Sequence, residues 1–210
     1  NPNSPTGVYS NEIIDIIEEL NNSKTKSKCS IIWIDETYID YIEDSISMES
    51  LVSKYSNLII CKSMSKCYAL SGLRVAYLAS QKAEYLRKYI PPWSVSLPAQ
   101  LSAIYALKNP EYYKKNYNII HEQRRIISEQ LLEIGFTVYP GVANFILTTL
   151  PKDTIHTSKT FIEACKGENL FLRDAENMGV TLTNKSIRFA IRNPHENRKM
   201  IEIVNRVINT

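Results

Sequence analysis

Ser63-Met64-Ser65-Lys66-Cys67-Tyr68-Ala69-Leu70-Ser71-Gly72-Leu73-Arg74 lies between two apolar runs, Asn57-Leu58-Ile59-Ile60-Cys61 before it and Val75-Ala76-Tyr77-Leu78-Ala79 after it. Both runs read as buried strands, which puts the lysine on a loop between them. Two hydroxyls and a guanidinium grouped around a primary amine suit an anionic group and a carbonyl carbon that the amine captures. The stretch is therefore a candidate Schiff-base site.

On its amino-terminal side, Cys29-Ser30-Ile31-Ile32-Trp33-Ile34 is a continuous apolar run of the kind that forms a strand buried on both faces of a parallel sheet. It ends in Asp35-Glu36-Thr37-Tyr38, and acids at the carboxyl end of such a strand stand where open α/β sheets place their ligands. The competing reading is that Asp35 caps the next turn. Further back, Ser10-Asn11-Glu12 offers a cap for an amphipathic helix through Ile13, Ile14, Ile16, Ile17 and Leu20, followed by a polar loop over residues 21–28. Asn1-Pro2-Asn3-Ser4-Pro5-Thr6-Gly7 is a dense turn, and a chain opening on it without an initiator methionine is expected to be a segment of something longer.

On the carboxyl-terminal side, residues 48–55 (ahead of the loop), 81–89 and 97–107 are expected to be helical, the second stopped by Pro91-Pro92 and the third started by Pro98. Buried strands alternating with helices argue for an α/β layered domain. Residues 111–134 carry apolar side chains at helical spacing up to Gly135, a helix about 36 Å long, and the domain change is expected here, separating 1–112 from 113–210. Short strands at 136–139, 143–149, 170–172 and 186–191, with helices at 157–166 and 194–208, then describe a small α+β unit. Arg173 follows one of these strands. Arg188 and Arg192 lie four apart on another and share a face, either as a pair for an anionic substrate or as a solvent-facing basic edge.

Composition limits the alternatives. The chain has 210 residues, 44% of them hydrophobic and 22% charged, and no apolar run approaches the ~18 residues of a membrane span. A net charge of +3 is too weak to point to nucleic acid. The basic residues Lys108, Lys114, Lys115, Arg124 and Arg125 read as a solvated helix face. Cys29, Cys61, Cys67 and Cys165 form no C-x-x-C pair and read as free thiols of a reducing compartment, while His121, His156 and His195 are scattered, so no metal site is expected.

Taken together, the N-P-x-x-P-T-G turn, the D-E-x-Y strand end, the S-x-S-K-x-x-x-L-x-G-x-R loop and the late arginine resemble fold-type I pyridoxal-phosphate enzymes, the class I/II aminotransferase superfamily. The resemblance runs in order along essentially the whole chain. It implies an α/β fold: the carboxyl-terminal part of the large cofactor-binding domain, a mostly parallel sheet with helices on both faces, then a small α+β domain, with the amino-terminal segment missing.

The resemblance also assigns roles. Lys66 would form the Schiff base with pyridoxal 5'-phosphate, Asp35 would pair with the pyridinium nitrogen, and Tyr38 would bond the ring's phenolate oxygen. Ser63, Ser65 and Arg74 would hold the phosphate, and Arg188 the substrate carboxylate. The family usually has asparagine directly before Pro-Thr-Gly; here Ser4 stands there with Asn3 one residue earlier, and either would fill that role.

Within the superfamily, Pro92-Trp93-Ser94-Val95, Ala143-Asn144-Phe145 and Arg188-Phe189-Ala190-Ile191-Arg192 are similar to the histidinol-phosphate aminotransferase branch. Arg192 draws the resemblance toward threonine-phosphate decarboxylase of the cobalamin pathway. In that reading Arg173 grips a side-chain phosphate while Arg188 and Arg192 hold the carboxylate. The alternatives are an aminotransferase on the same scaffold and a non-catalytic binding module. A small amino acid or amino-phosphate as substrate, a homodimer and a cytoplasmic location are the further implications. Tyr112 to Tyr117 would serve either the dimer interface or the core.

Overall fold

The computed structural model describes residues 1–22, 31–42 and 47–209. Cys29, Ser30 and most of the expected 21–28 loop lie outside the described residues. The chain divides into two compact units, one of Asn1–Pro2 with Tyr9–Lys114, the other of Asn3–Val8 with Lys115–Thr210.

The first unit is built on a three-stranded sheet of order β1-β2-β3: β1 Ile32–Asp35, β2 Leu58–Ser63 and β3 Ala76–Ala79. β1 and β2 run parallel, with Asp35 opposite Cys61, and β3 runs antiparallel to β2, with Ala76 opposite Ser63. Helix α1, Ile13–Asn22, inserts Ile17 among Ile34, Met48, Leu58 and Ile60, while Ile16 and Leu20 of its expected stripe stay exposed.

Central β2 is buried on both faces, as its unbroken apolar run predicts, but β1 is not. Trp33 is 56% exposed, because on this edge strand of the described sheet Ile32 and Ile34 turn toward the core and Trp33, between them, turns to the other face. β3 starts at Ala76, one residue into its apolar run, since Arg74 takes a left-handed conformation (φ 54) that ends the preceding turn, and β3 is only half-buried. The expected 48–55 helix shortens to a 3-10 turn at Met48–Leu51. Helices α2 (Ala83–Arg87) and α3 (Leu97–Leu107) follow. Ser96 caps α3 by accepting from the Ala99 amide, and Ala99 and Ala106 pack with Met64 and Val75.

Helix α4, Pro110–Glu133, is 24 residues long, and the unit boundary falls on it. Tyr113 packs edge-on against Tyr68 at 5.0 Å between centroids, within the first unit's own core. Arg124 departs from the solvated-face reading. It is buried and donates through Nη1 to the carbonyls of Ala143 (3.0 Å) and Phe145, whereas Arg125 remains outside and pairs with Glu122 and Glu129. Desolvation lowers the Arg124 guanidinium to about 10.

The second unit is a four-stranded antiparallel sheet of order β4-β5-β7-β6: β4 Thr137–Val138, β5 Phe145–Thr149, β6 Arg173–Asp174 and β7 Ser186–Ala190. Helices α5 (Ser158–Gly167) and α6 (Pro194–Ile208) are capped by Thr157 and Asn193 and cover one face, burying Ile146, Ile187 and Phe189 with Phe161 and Val204. β6 begins later than the expected 170–172 strand. Asn169 is left-handed (φ 62) and the Leu170 amide still bonds the Cys165 carbonyl, so Leu170 and Leu172 pack on the core before pairing begins.

Residues 3–7 of the opening turn belong to this unit. The Val142 amide donates to the Gly7 carbonyl at 2.8 Å, and a Cβ on Gly141 would stand 2.5 Å from the Thr6 carbonyl oxygen. Gly141→Ala is expected to destabilise the protein by about 1–3 kcal/mol in denaturant titration. Gly167→Ala, where a Cβ meets nothing within 4 Å, is expected to be neutral or stabilising.

Candidate active site

Buried side chains create the lysine loop. Met64 and Cys67 point inward, the Cys67 thiol donating to the Thr37 carbonyl at 3.2 Å, and the Leu70 amide returns to the Met64 carbonyl at 3.0 Å. With both neighbours anchored, Lys66 is left exposed between them. Burial pushes the Cys67 thiol well above its ordinary range, so the nucleophile offered here is the amine and not the adjacent sulfur. The Ser63 and Ser65 hydroxyls lie 2.8 Å apart, at the carboxyl end of β2 and just beyond it.

Asp35 ends β1 beside this loop in the sheet order. Its Oδ1 accepts from the Thr37 amide (2.8 Å) and hydroxyl (2.5 Å), so the turn-capping reading is realised; Oδ2 takes no part in that turn. Tyr38 stacks on Tyr41 at 6.5 Å between centroids, and the Tyr41 hydroxyl approaches the Lys66 carbonyl at 3.4 Å. The exposed Arg74 guanidinium donates to the Ser71 carbonyl at 3.0 Å.

In the second unit, the face of the sheet opposite the helices carries Arg173 and Arg188. Arg188 lies directly opposite Arg173 in the β6–β7 register, and its guanidinium stands 4.5 Å from the centre of the Phe145 ring. The Arg188 Nη1 is 3.5 Å from the Ser4 hydroxyl, while the Asn3 side chain accepts from Thr6 at 3.1 Å inside its own turn. Ser4, and not Asn3, therefore presents its hydroxyl next to a candidate binding residue. Arg192 lies past the end of β7, pairs with Glu196 at 3.7 Å, and lines a groove of about 350 Å³ with Leu172, Ala190 and Met200.

Two groups escaped the sequence reading. Lys62 is a buried lysine inside a strand, and Glu36 is the buried acid that follows Asp35; the signal was a lysine placed in the apolar run of β2. Arg124 carried no such signal, since its neighbours in sequence are exposed charges.

An exposed amine, a pair of hydroxyls at a parallel strand end and a carboxylate on the adjacent strand end form a donor set that fits an aldehyde cofactor bearing a phosphate and a basic ring nitrogen. Fold and donor set together are those of an α/β protein with an exposed lysine on a loop at a parallel strand end. Residues 1–207 match the family model for aminotransferase class I and II, and the chain belongs to that family, whose cofactor is pyridoxal 5'-phosphate.

A curated relative, histidinol-phosphate aminotransferase 2 of Archaeoglobus fulgidus, is 32% identical over 210 residues, covering 98% of this chain and 56% of the relative. The solved histidinol-phosphate aminotransferase of Clostridium acetobutylicum superposes with a TM-score of 0.86 at 27% identity, over 99% of this chain and 62% of that one. A decarboxylase from Sulfurospirillum multivorans gives 0.82 at 25% identity, over 99% and 60%. The chain thus spans little more than half the length of the relatives it matches. Among the described residues, no helix is long and apolar enough to cross a membrane.

Proposed function

We propose that the protein is a pyridoxal-phosphate-dependent aminotransferase acting on an amino-phosphate, with histidinol phosphate as the leading candidate. The observation that carries this reading is the register of Arg173 opposite Arg188. Two arginines paired in register across neighbouring strands offer planar, two-pronged donors on one face, and a phosphate dianion or a carboxylate meets such guanidiniums well. The curated relative of A. fulgidus carries the matching name.

The bound cofactor would supply the electron sink for a carbanion at the substrate's α-carbon. Lys66 would bind the cofactor aldehyde through its amine and, once displaced, take and return the α-proton. The Asp35 carboxylate would hold a proton on the ring nitrogen, and Tyr38 would donate to the ring oxygen. Ser63, Ser65 and Arg74 would fix the phosphate. Arg188 would orient the substrate anion, its planar fork held against Phe145. A homodimer, as the family resemblance implies, is part of the proposal and is checked by the solution mass of the full-length protein.

The second reading is decarboxylation of a phosphorylated amino acid. It is favoured by Arg192, which lines the groove with Leu172, Ala190 and Met200, and by the Sulfurospirillum decarboxylase neighbour. One assay separates the two. Full-length protein with histidinol phosphate and 2-oxoglutarate is expected to form glutamate. Release of CO2 from phosphothreonine with no amino transfer would overturn the aminotransferase reading.

A further inference from the structure

The buried cation of the first unit stands directly before the phosphate-holding serine. Lys62, 7% exposed, occupies β2 immediately ahead of Ser63. Its ammonium lies 3.4 Å from Glu36 Oε2 and 3.4 Å from Glu49 Oε1. Glu36 is itself fixed, accepting from the Ser47 hydroxyl at 2.6 Å and the Met48 amide at 2.7 Å.

The network widens from there. Tyr77 is the cross-strand partner of Lys62 on β3. The Asp40 carboxyl is raised by burial and drawn back by the Lys62 charge. Two members neighbour a cofactor candidate along the chain: Glu36 follows Asp35, and Lys62 precedes Ser63. One ammonium therefore ties the strand end that presents Asp35 to the strand that runs into the Ser63–Lys66 loop.

Stability alone does not explain such a cluster. Desolvating these charges costs several kcal/mol per ion, and well-packed apolar residues of similar volume often serve a fold equally well or better. We propose that Lys62 is a positioning residue: through Glu36 and Glu49 it sets the relative placement of Asp35 and the Ser63–Lys66 loop, and thereby the affinity and orientation of bound cofactor. This inference rests on the reading that those residues hold pyridoxal phosphate.

The test uses the full-length protein, following the pyridoxal-phosphate dissociation constant by equilibrium dialysis and the circular dichroism of the bound chromophore in the visible. Lys62→Met is expected to weaken cofactor binding about tenfold or more and to change the visible dichroism, with Lys62→Arg recovering most of both. Should Lys62→Met fail to fold, Glu49→Gln decides, with a several-fold weakening and the same dichroic change expected. A folded Lys62→Met, or in its place Glu49→Gln, that keeps the wild-type constant and dichroism would overturn the inference. A wild-type protein that binds no pyridoxal phosphate would instead remove the cofactor reading beneath it.

Discussion

Lys66→Ala in the full-length protein is expected to lower turnover by at least about a thousandfold while leaving the fold intact, since general acid–base catalysis alone contributes ~10²–10⁴ and covalent capture adds to it. The structural half of this expectation comes from the loop. Met64 and Cys67 are the buried anchors, the Met64 and Leu70 backbones close the turn, and Lys66 projects from between them without ordering any of these contacts. Its loss should therefore change stability by no more than ~0.5 kcal/mol, as at other exposed positions. Lys66→Arg retains the charge but not a nucleophilic amine at neutral pH, and it should be nearly as inactive as alanine. Single-turnover and steady-state rates, set beside a denaturant melt, check both halves. Activity within tenfold of wild type in Lys66→Ala would refute the role of the amine.

What the sequence discloses depends on the range of the force that decides each feature. Helices α3 and α6 are readable to the residue because their ends are set locally: Ser96 and Asn193 cap, and a proline occupies the first turn of each. The exposure of Trp33 is not readable, because an apolar run looks the same on an edge strand as on a central one until the sheet order is known. Strand β6 is displaced for a local reason that composition hides, the left-handed Asn169. The lysine loop was legible because several chemically unusual residues crowd a short stretch. Glu36 and Lys62 sit next to Asp35 and Ser63 and were overshadowed by them; their pairing is a tertiary fact joining β1 to β2. The same holds for the arginines. Even spacing predicts Arg188 and Arg192 on one strand face, but β7 ends at Ala190, so Arg192 is off the strand, and the directly opposed partner of Arg188 is Arg173, fixed by a cross-strand register that sequence spacing does not encode.

That opposition makes Arg188 the residue whose replacement should be felt most by substrate and least by the fold. Arg188→Leu is expected to raise the Michaelis constant and lower kcat/KM by about 30-fold to 5,000-fold, the range that follows from ~2–5 kcal/mol for truncating one side of a hydrogen-bonded charge pair. Arg188→Lys should recover only part, because an ammonium lacks the two-pronged geometry that meets a carboxylate or phosphate. Stability should respond differently. Removing Arg188 gives up its contact with Phe145, worth about 0.5–1 kcal/mol, so the stability cost should be small beside the kinetic one. A merely structural arginine would show the reverse pattern, a lower melting temperature with unchanged kinetics once folded. Added phosphate discriminates further: if the two guanidiniums share an anion, phosphate should raise the melting temperature of the wild type and lose that effect in Arg188→Leu, since only the native pair gains from the bound ion.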